Sequence, residues 1–150
     1  MITISPESIQ AIHAHGESTY PEECCGMLLG QKGEGTYVVK DIVHITNAQE
    51  ANRQRRFRIS PEQYRDAERT AAGRQMTLLG FYHSHPDHPA IPSEYDTEHA
   101  LPWFAYLIVA VSKRRAGDLT AWVLTENRER FERQAVEVSG LKNIVTNMNR

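Results

Sequence analysis

The sequence predicts an α/β fold: a single domain built on one mixed β-sheet flanked by helices. Three helix-start signatures, Ser5-Pro6-Glu7, Ser60-Pro61-Glu62 and Ser93-Glu94-Tyr95-Asp96, alternate with short apolar or β-branched runs. That interleaving is how helices come to flank a sheet. The chain has 150 residues, enough for one core and not two. Its 40% apolar and 24% charged residues are the balance of a compact soluble domain, which excludes a disordered or fibrous chain.

Taken in order, Ser5 caps a helix with proline at its first position, and Ile9, Ile12 and a closing Gly16 make it short. Cys25 to Gly30 is a short apolar run ended by the glycine-rich turn Gln31 to Gly35, and Tyr37 to Thr46 returns as its hairpin partner. Asn47 to Arg58 is polar, with Arg53, Arg55, Arg56 and Arg58, and reads as a solvated loop entering a brief strand at Phe57 and Ile59. A second helix runs from Ser60 to about Gly73. Leu78 to His85 is a strand stopped by Pro86, and Pro89 and Pro92 keep the next segment extended. The helix opening at Ser93 must stop near Pro102. Phe104 to Ser112 and Leu119 to Leu124 are strands around the turn Lys113 to Asp118, and Phe131 to Val138 adds an edge strand. The domain is therefore expected to span 1–140, with 141–150 as a tail.

Composition excludes several functions. Lys plus Arg is 17 and Asp plus Glu is 19, a net charge of −2, which argues against nucleic acid as the main partner. The longest apolar run, Phe104 to Val111, is far short of the roughly 20 residues that span a membrane, and no cleavable signal opens the sequence. Cys24 and Cys25 are adjacent and cannot form a disulfide framework, so a reducing, cytoplasmic setting is expected.

The chemistry concentrates in one segment. His83 and His85 are two apart on a strand, so both rings face the same way, a spacing that suits a metal. Asp96, beyond a proline-rich turn, can bring a carboxylate to the same point from the first turn of its helix. Two nitrogens and one oxygen leave a fourth position for water, the pattern of a catalytic zinc site. Each residue also has a plainer role. Histidines are commonly structural, and Ser93 with Asp96 is close to a capping box that needs no metal. A second pattern overlaps: His83, His85, Asp87 and His88 match H-x-H-x-D-H, the signature of metallo-β-lactamase-fold hydrolases. That fold needs more chain, and only His99 follows His88. Zinc deaminases are excluded because both cysteines precede the histidines, and H-E-x-x-H is absent.

Read as a unit, His83-Ser84-His85-Pro86, Pro92-Ser93 and Asp96 resemble the JAMM motif H-[ST]-H-P-x(6)-S-x-x-D of the JAMM (MPN+) zinc metallopeptidases. Pro21-Glu22-Glu23-Cys24-Cys25-Gly26 resembles the family's upstream P-x-E-x-x-G segment, in a register that selects Glu23 over Glu22. The resemblance covers nearly the whole domain and implies the JAMM/MPN, cytidine-deaminase-like architecture. It implies one zinc ion per chain on His83, His85 and Asp96, a water held by Glu23, and Ser93 as hydrogen-bond donor to the oxyanion. Catalytically dead members act as binding modules and lack the metal ligands, all of which are present in this sequence. Stand-alone bacterial members resemble processing enzymes for ubiquitin-like sulfur-carrier proteins, so the implied substrate is a Gly-Gly-type C-terminal tail lying extended beside a sheet edge. Ser84 should face away from the ligands, Cys25 should pack, and His88, His99 and Trp103 are candidates to line the substrate groove.

Overall fold

The computed structural model describes residues 1–47, Arg53 and 59–140. The elements are β1 (Ile2–Ile4), α1 (Pro6–Thr19), β2 (Cys25–Gly33), β3 (Thr36–Ile45), α2 (Pro61–Gly73), β4 (Thr77–Pro86), α3 (Glu94–His99), β5 (Ala105–Ser112), β6 (Arg115–Leu124), β7 (Phe131–Gln134) and β8 (Val136–Val138). Among the described residues they build one sheet in the order β7-β6-β5-β4-β2-β3-β1-β8. It is mixed: β4 runs parallel to β5, and β1 runs parallel to both β3 and β8, while the other pairs are antiparallel.

All three helix starts form as the sequence predicts. Ser5 accepts from the Ser8 amide, while Ser60 and Ser93 each close a full capping box. Gly16, expected to end α1, lies inside it. A Cβ there would sit 3.0 Å from Val111 Cγ2, so this glycine marks where the helix presses onto the sheet. Three strand readings also differ. The short β1 has no signature of its own, and β6 begins at Arg115, which tightens the turn to Lys113 and Arg114.

The third difference shapes the molecule. Phe131 to Val138 is not one edge strand but two, split at Ala135, and they lie on opposite edges of the sheet. Two peptide steps reach at most about 7 Å, so the sheet must curl until its outer strands stand side by side. The Ala135 carbonyl accepts from the Ile2 amide at 2.9 Å.

The sheet separates two cores. On one face Ile12 of α1 packs with Leu28, Leu107, Val109 and Val111. On the other, Ala67 and Ala71 of α2 pack with Met27, Leu29 and Phe81. The β2–β4 register shifts where Leu28 faces Gly80 and Leu29 faces Leu78, leaving Leu79 bulged. The bulge sends Leu79 to the α1 face and Phe81 to the α2 face. By strand alternation His83 and His85 follow Phe81 on the α2 face, where both are buried. The expected tail, 141–150, and the expected strand at Phe57 lie outside the described residues, as does the basic stretch apart from Arg53.

Candidate metal centre

Strand register brings the site together. Cys25 pairs with His83 in the antiparallel β2–β4 ladder, so two further steps set Glu23 level with His85. The ladder is extended by the Ser84 amide donating to the Cys24 carbonyl at 3.2 Å and the Cys24 amide donating to Ser84 Oγ at 2.8 Å. Ser84 thus faces away from the histidines, as expected, and its hydroxyl clamps the segment that carries Glu23. On the other side the Glu23 amide donates to Arg53 O at 2.6 Å, and Asn47 Nδ2 donates to Glu23 O at 3.3 Å.

Three side-chain atoms converge. His83 Nε2 lies 3.2 Å from His85 Nε2, and Asp96 Oδ2 lies 3.2 Å from the first and 3.1 Å from the second. These atoms form a nearly equilateral triangle. Ligands at about 2.0–2.1 Å around a tetrahedral zinc stand about 3.3–3.4 Å apart, so the spacing fits that ion. Ligand atoms of Glu23, His83 and His85 also lie within 4.8 Å of one another. Both Glu23 carboxylate oxygens are buried without a hydrogen-bond partner. An uncompensated buried carboxylate is costly, and a cation with its water beside it supplies what this one lacks. The donor set therefore fits a metal.

Electrostatics separates the two acids. Burial pushes the Glu23 carboxyl up to about 8, with His85 pulling it down and Asp96 pushing it up. Asp96 goes the other way. Its burial raises it, but the adjacent His83 and His85 imidazoles and the Ser93 amide hold it well below the usual carboxylate range. Asp96 Oδ2 accepts from the Ser93 amide at 2.9 Å while facing both histidines, so its capping and ligand readings describe one geometry. Ser93 Oγ accepts from the Asp96 amide at 3.1 Å, which uses a lone pair and leaves the O–H as a donor.

The Glu23 shift yields a prediction for the metal-free protein. The carboxyl is raised from 4.5 to about 8, so its contribution to stability is full below about pH 4.5 and is lost as pH rises through 8. At about 1.4 kcal/mol per pKa unit this amounts to a few kcal/mol. In excess chelator, the Tm of Glu23→Gln relative to the unsubstituted protein should climb between pH 5 and 8. A pH-independent difference in thermal melts would contradict the assignment.

Asp87 and His88 are not brought to this point. Tyr20 and the Lys113 amide, at 2.9 Å, donate to the Asp87 carboxylate, while His88 stacks on His85 with ring centroids 4.1 Å apart and directs Nδ1 at Pro86 O. His99 helps line a cavity of about 140 Å³ that His83 and Asp96 also line, walled by Tyr64, Phe81 and Tyr106. Trp103 is exposed and lines a different hollow with Glu68 and Phe104. Cys25 is buried and its thiol is pushed up to about 12, mainly by burial, so it packs and offers no thiolate at neutral pH. Sequence reasoning missed Thr120 of β6, whose hydroxyl reaches Ala90 O in the loop after His85, and Trp122, which donates to that hydroxyl. Their only signal in the sequence is a polar residue in a buried strand.

Fold and site together define an α/β domain with a candidate metal-binding cluster at the end of a central strand. The family model for prokaryotic homologs of the JAB domain matches residues 5–125, and the chain belongs to that family. Solved relatives share the fold. A Salinibacter ruber protein is 38% identical with a TM-score of 0.73, covering 95% of this chain and 94% of its own. A JAB1/MPN domain protein from Archaeoglobus fulgidus is 18% identical with a TM-score of 0.57, over 91% and 96%. Among curated relatives, the desampylase of Pyrococcus furiosus is 29% identical over 71% of this chain and 70% of its own length. A lysine-63-specific deubiquitinase of Xenopus tropicalis, BRCC36, is 32% identical over 59% of this chain. The tail tip assembly protein K of Escherichia phage N15 is 36% identical over 65% of this chain. The matches cover only 40% and 37% of those last two proteins. Among the described residues, no helix is long and apolar enough to cross a membrane.

Proposed function

We propose that this protein is a zinc-dependent peptidase or isopeptidase. In this reading it hydrolyses the amide bond at the Gly-Gly-type C-terminal tail of a ubiquitin-like or sulfur-carrier protein, with one zinc ion per chain. The observation that carries it is the triangle of His83, His85 and Asp96 ligand atoms with the unpartnered Glu23 carboxylate beside it. Similarity to a desampylase and a deubiquitinase supports the substrate class. The buried free thiols of adjacent Cys24 and Cys25 support action in a reducing cytoplasm.

A zinc ion bound there would supply a water whose pKa is lowered from about 15.7 to about 7. His83, His85 and Asp96 would hold the ion. Glu23 takes the proton from the attacking water and passes it to the leaving amine. Ser93 donates a hydrogen bond from its hydroxyl to the oxyanion of the tetrahedral intermediate.

Because β4 is flanked by β2 and β5, the substrate tail meets the site at the end of the sheet, away from the outer strands. The test uses zinc-loaded protein and a panel of ubiquitin-like carriers extended beyond their Gly-Gly ends, read by intact mass. Cleavage directly after Gly-Gly is the expected result. No cleavage across the panel, with zinc bound, would reject the substrate class. On a cleaved carrier, Ser93→Ala is expected to lower kcat about 10²–10³-fold with zinc retained; an unchanged kcat would remove Ser93 from the mechanism.

A further inference from the structure

His85 Nδ1 lies 2.7 Å from the Pro89 carbonyl. A carbonyl only accepts, so this contact puts the ring proton on Nδ1 and leaves the Nε2 lone pair facing His83 and Asp96. Pro89 belongs to a loop between β4 and α3 that has no ladder to hold it. Besides the Ile91 amide, which donates to it directly at 2.8 Å, what fixes that carbonyl comes from two places. At the start of the loop, the Asp87 amide donates to Val111 O at 2.7 Å, and the Asp87 carboxylate is held by Tyr20 and the Lys113 amide. Next to Pro89 itself, the buried Ala90 carbonyl accepts from Thr120 Oγ1 at 2.6 Å.

The direction of this second tie is set by chemistry. Trp122 Nε1 can only donate, and it donates to Thr120 Oγ1 at 2.8 Å. The threonine hydroxyl has one hydrogen, and its nearer acceptor is Ala90 O, against 3.5 Å to Ile108 O. The result is a directed chain from indole N–H through hydroxyl to carbonyl. It reaches from β6, over β5, to the residue beside the carbonyl that orients His85. Thr120 is buried, so water does not substitute for it.

We propose that Thr120 is a positioning residue for the metal centre: by pinning Ala90 it holds the Pro89 carbonyl on His85 Nδ1, and so fixes the tautomer and ring angle of that ligand. The inference rests on the metal reading given above. Partners that orient metal-binding histidines typically contribute 10–100-fold to affinity or activity when removed. Thr120 acts one bond further out, which places its effect at the low end.

The experiment measures zinc affinity by competition with a chromophoric chelator, beside the Tm of each metal-free protein. Thr120→Val keeps the shape and removes the hydroxyl, Thr120→Ala removes both, and Thr120→Ser keeps the hydroxyl. The Val and Ala variants are expected to bind zinc about tenfold more weakly, and Ser within about twofold of the unsubstituted protein. A hydroxyl that served packing alone would lower the metal-free Tm and leave zinc affinity unchanged, and that result overturns the proposal. Equal weakening in Ser, Val and Ala also overturns it. Failure of the unsubstituted protein to bind zinc would overturn the metal reading itself, a result distinct from either.

Discussion

Asp96→Ala is expected to abolish zinc binding: elemental analysis of the purified protein should give near one zinc per chain, and the variant none. Asp96 supplies one of the three converging ligand atoms and the only negative charge among them, so its loss leaves two imidazoles that cannot hold the ion alone. The same carboxylate accepts from the Ser93 amide, and losing half a capping box costs about 1 kcal/mol. The variant should therefore melt slightly lower while staying folded. Asp87→Ala is the control. Its carboxylate is engaged by Tyr20 and Lys113 and is not one of the converging ligand atoms, so the stoichiometry should stay at one zinc per chain, with any loss of affinity small and arising through the Pro89 loop. Two metals per chain, or dependence on His88, would restore the H-x-H-x-D-H reading. Zinc absent from every form would point to a binding module.

Glu23→Gln should do the reverse, retaining zinc while turnover falls about 10²–10⁴-fold, the usual contribution of a positioned general base. The amide keeps the shape and cannot take a proton. Glu22→Gln, one residue away, should cost little. Strand alternation explains the contrast: Glu23 shares a face with Cys25, which is registered to His83, whereas Glu22 points to the other side and is exposed. Turnover of the carrier substrate by Glu23→Gln at the unsubstituted rate would reject the mechanism, and so would loss of turnover in Glu22→Gln alone.

The site was more legible than the fold that holds it. His83, His85 and Asp96 come from a stretch short enough that strand alternation and a helix cap set their directions locally. Glu23 lies 60 residues upstream of His83 and was found through the motif, with the register later setting it opposite His85. Other features depend on partners distant in sequence, where local pattern carries no information. Ile2–Ile4 is too short to show alternation, and its place follows from its parallel pairing with β3 and β8. Gly16 has the composition of a helix stop and the surroundings of a packing contact, which only the nearness of Val111 reveals. The split at Ala135 has no turn signature, because the chain crosses from one edge of the sheet to the other without turning back. Thr120 reads as one more β-branched residue until Ala90 is seen beside it.

The meeting of the outer strands at Ala135 also bears on self-association. An unpaired strand edge is a ready template on which a second molecule can add and seed growth of an aggregate. Here β7 has four residues and β8 three, and their exposed positions carry Glu132, Arg133 and Glu137. Short, charged borders give an incoming chain little length to register against and a desolvation cost at every step. Among the described residues, the curl thus leaves the eight-stranded sheet with only short, charged margins that disfavour addition of a further strand.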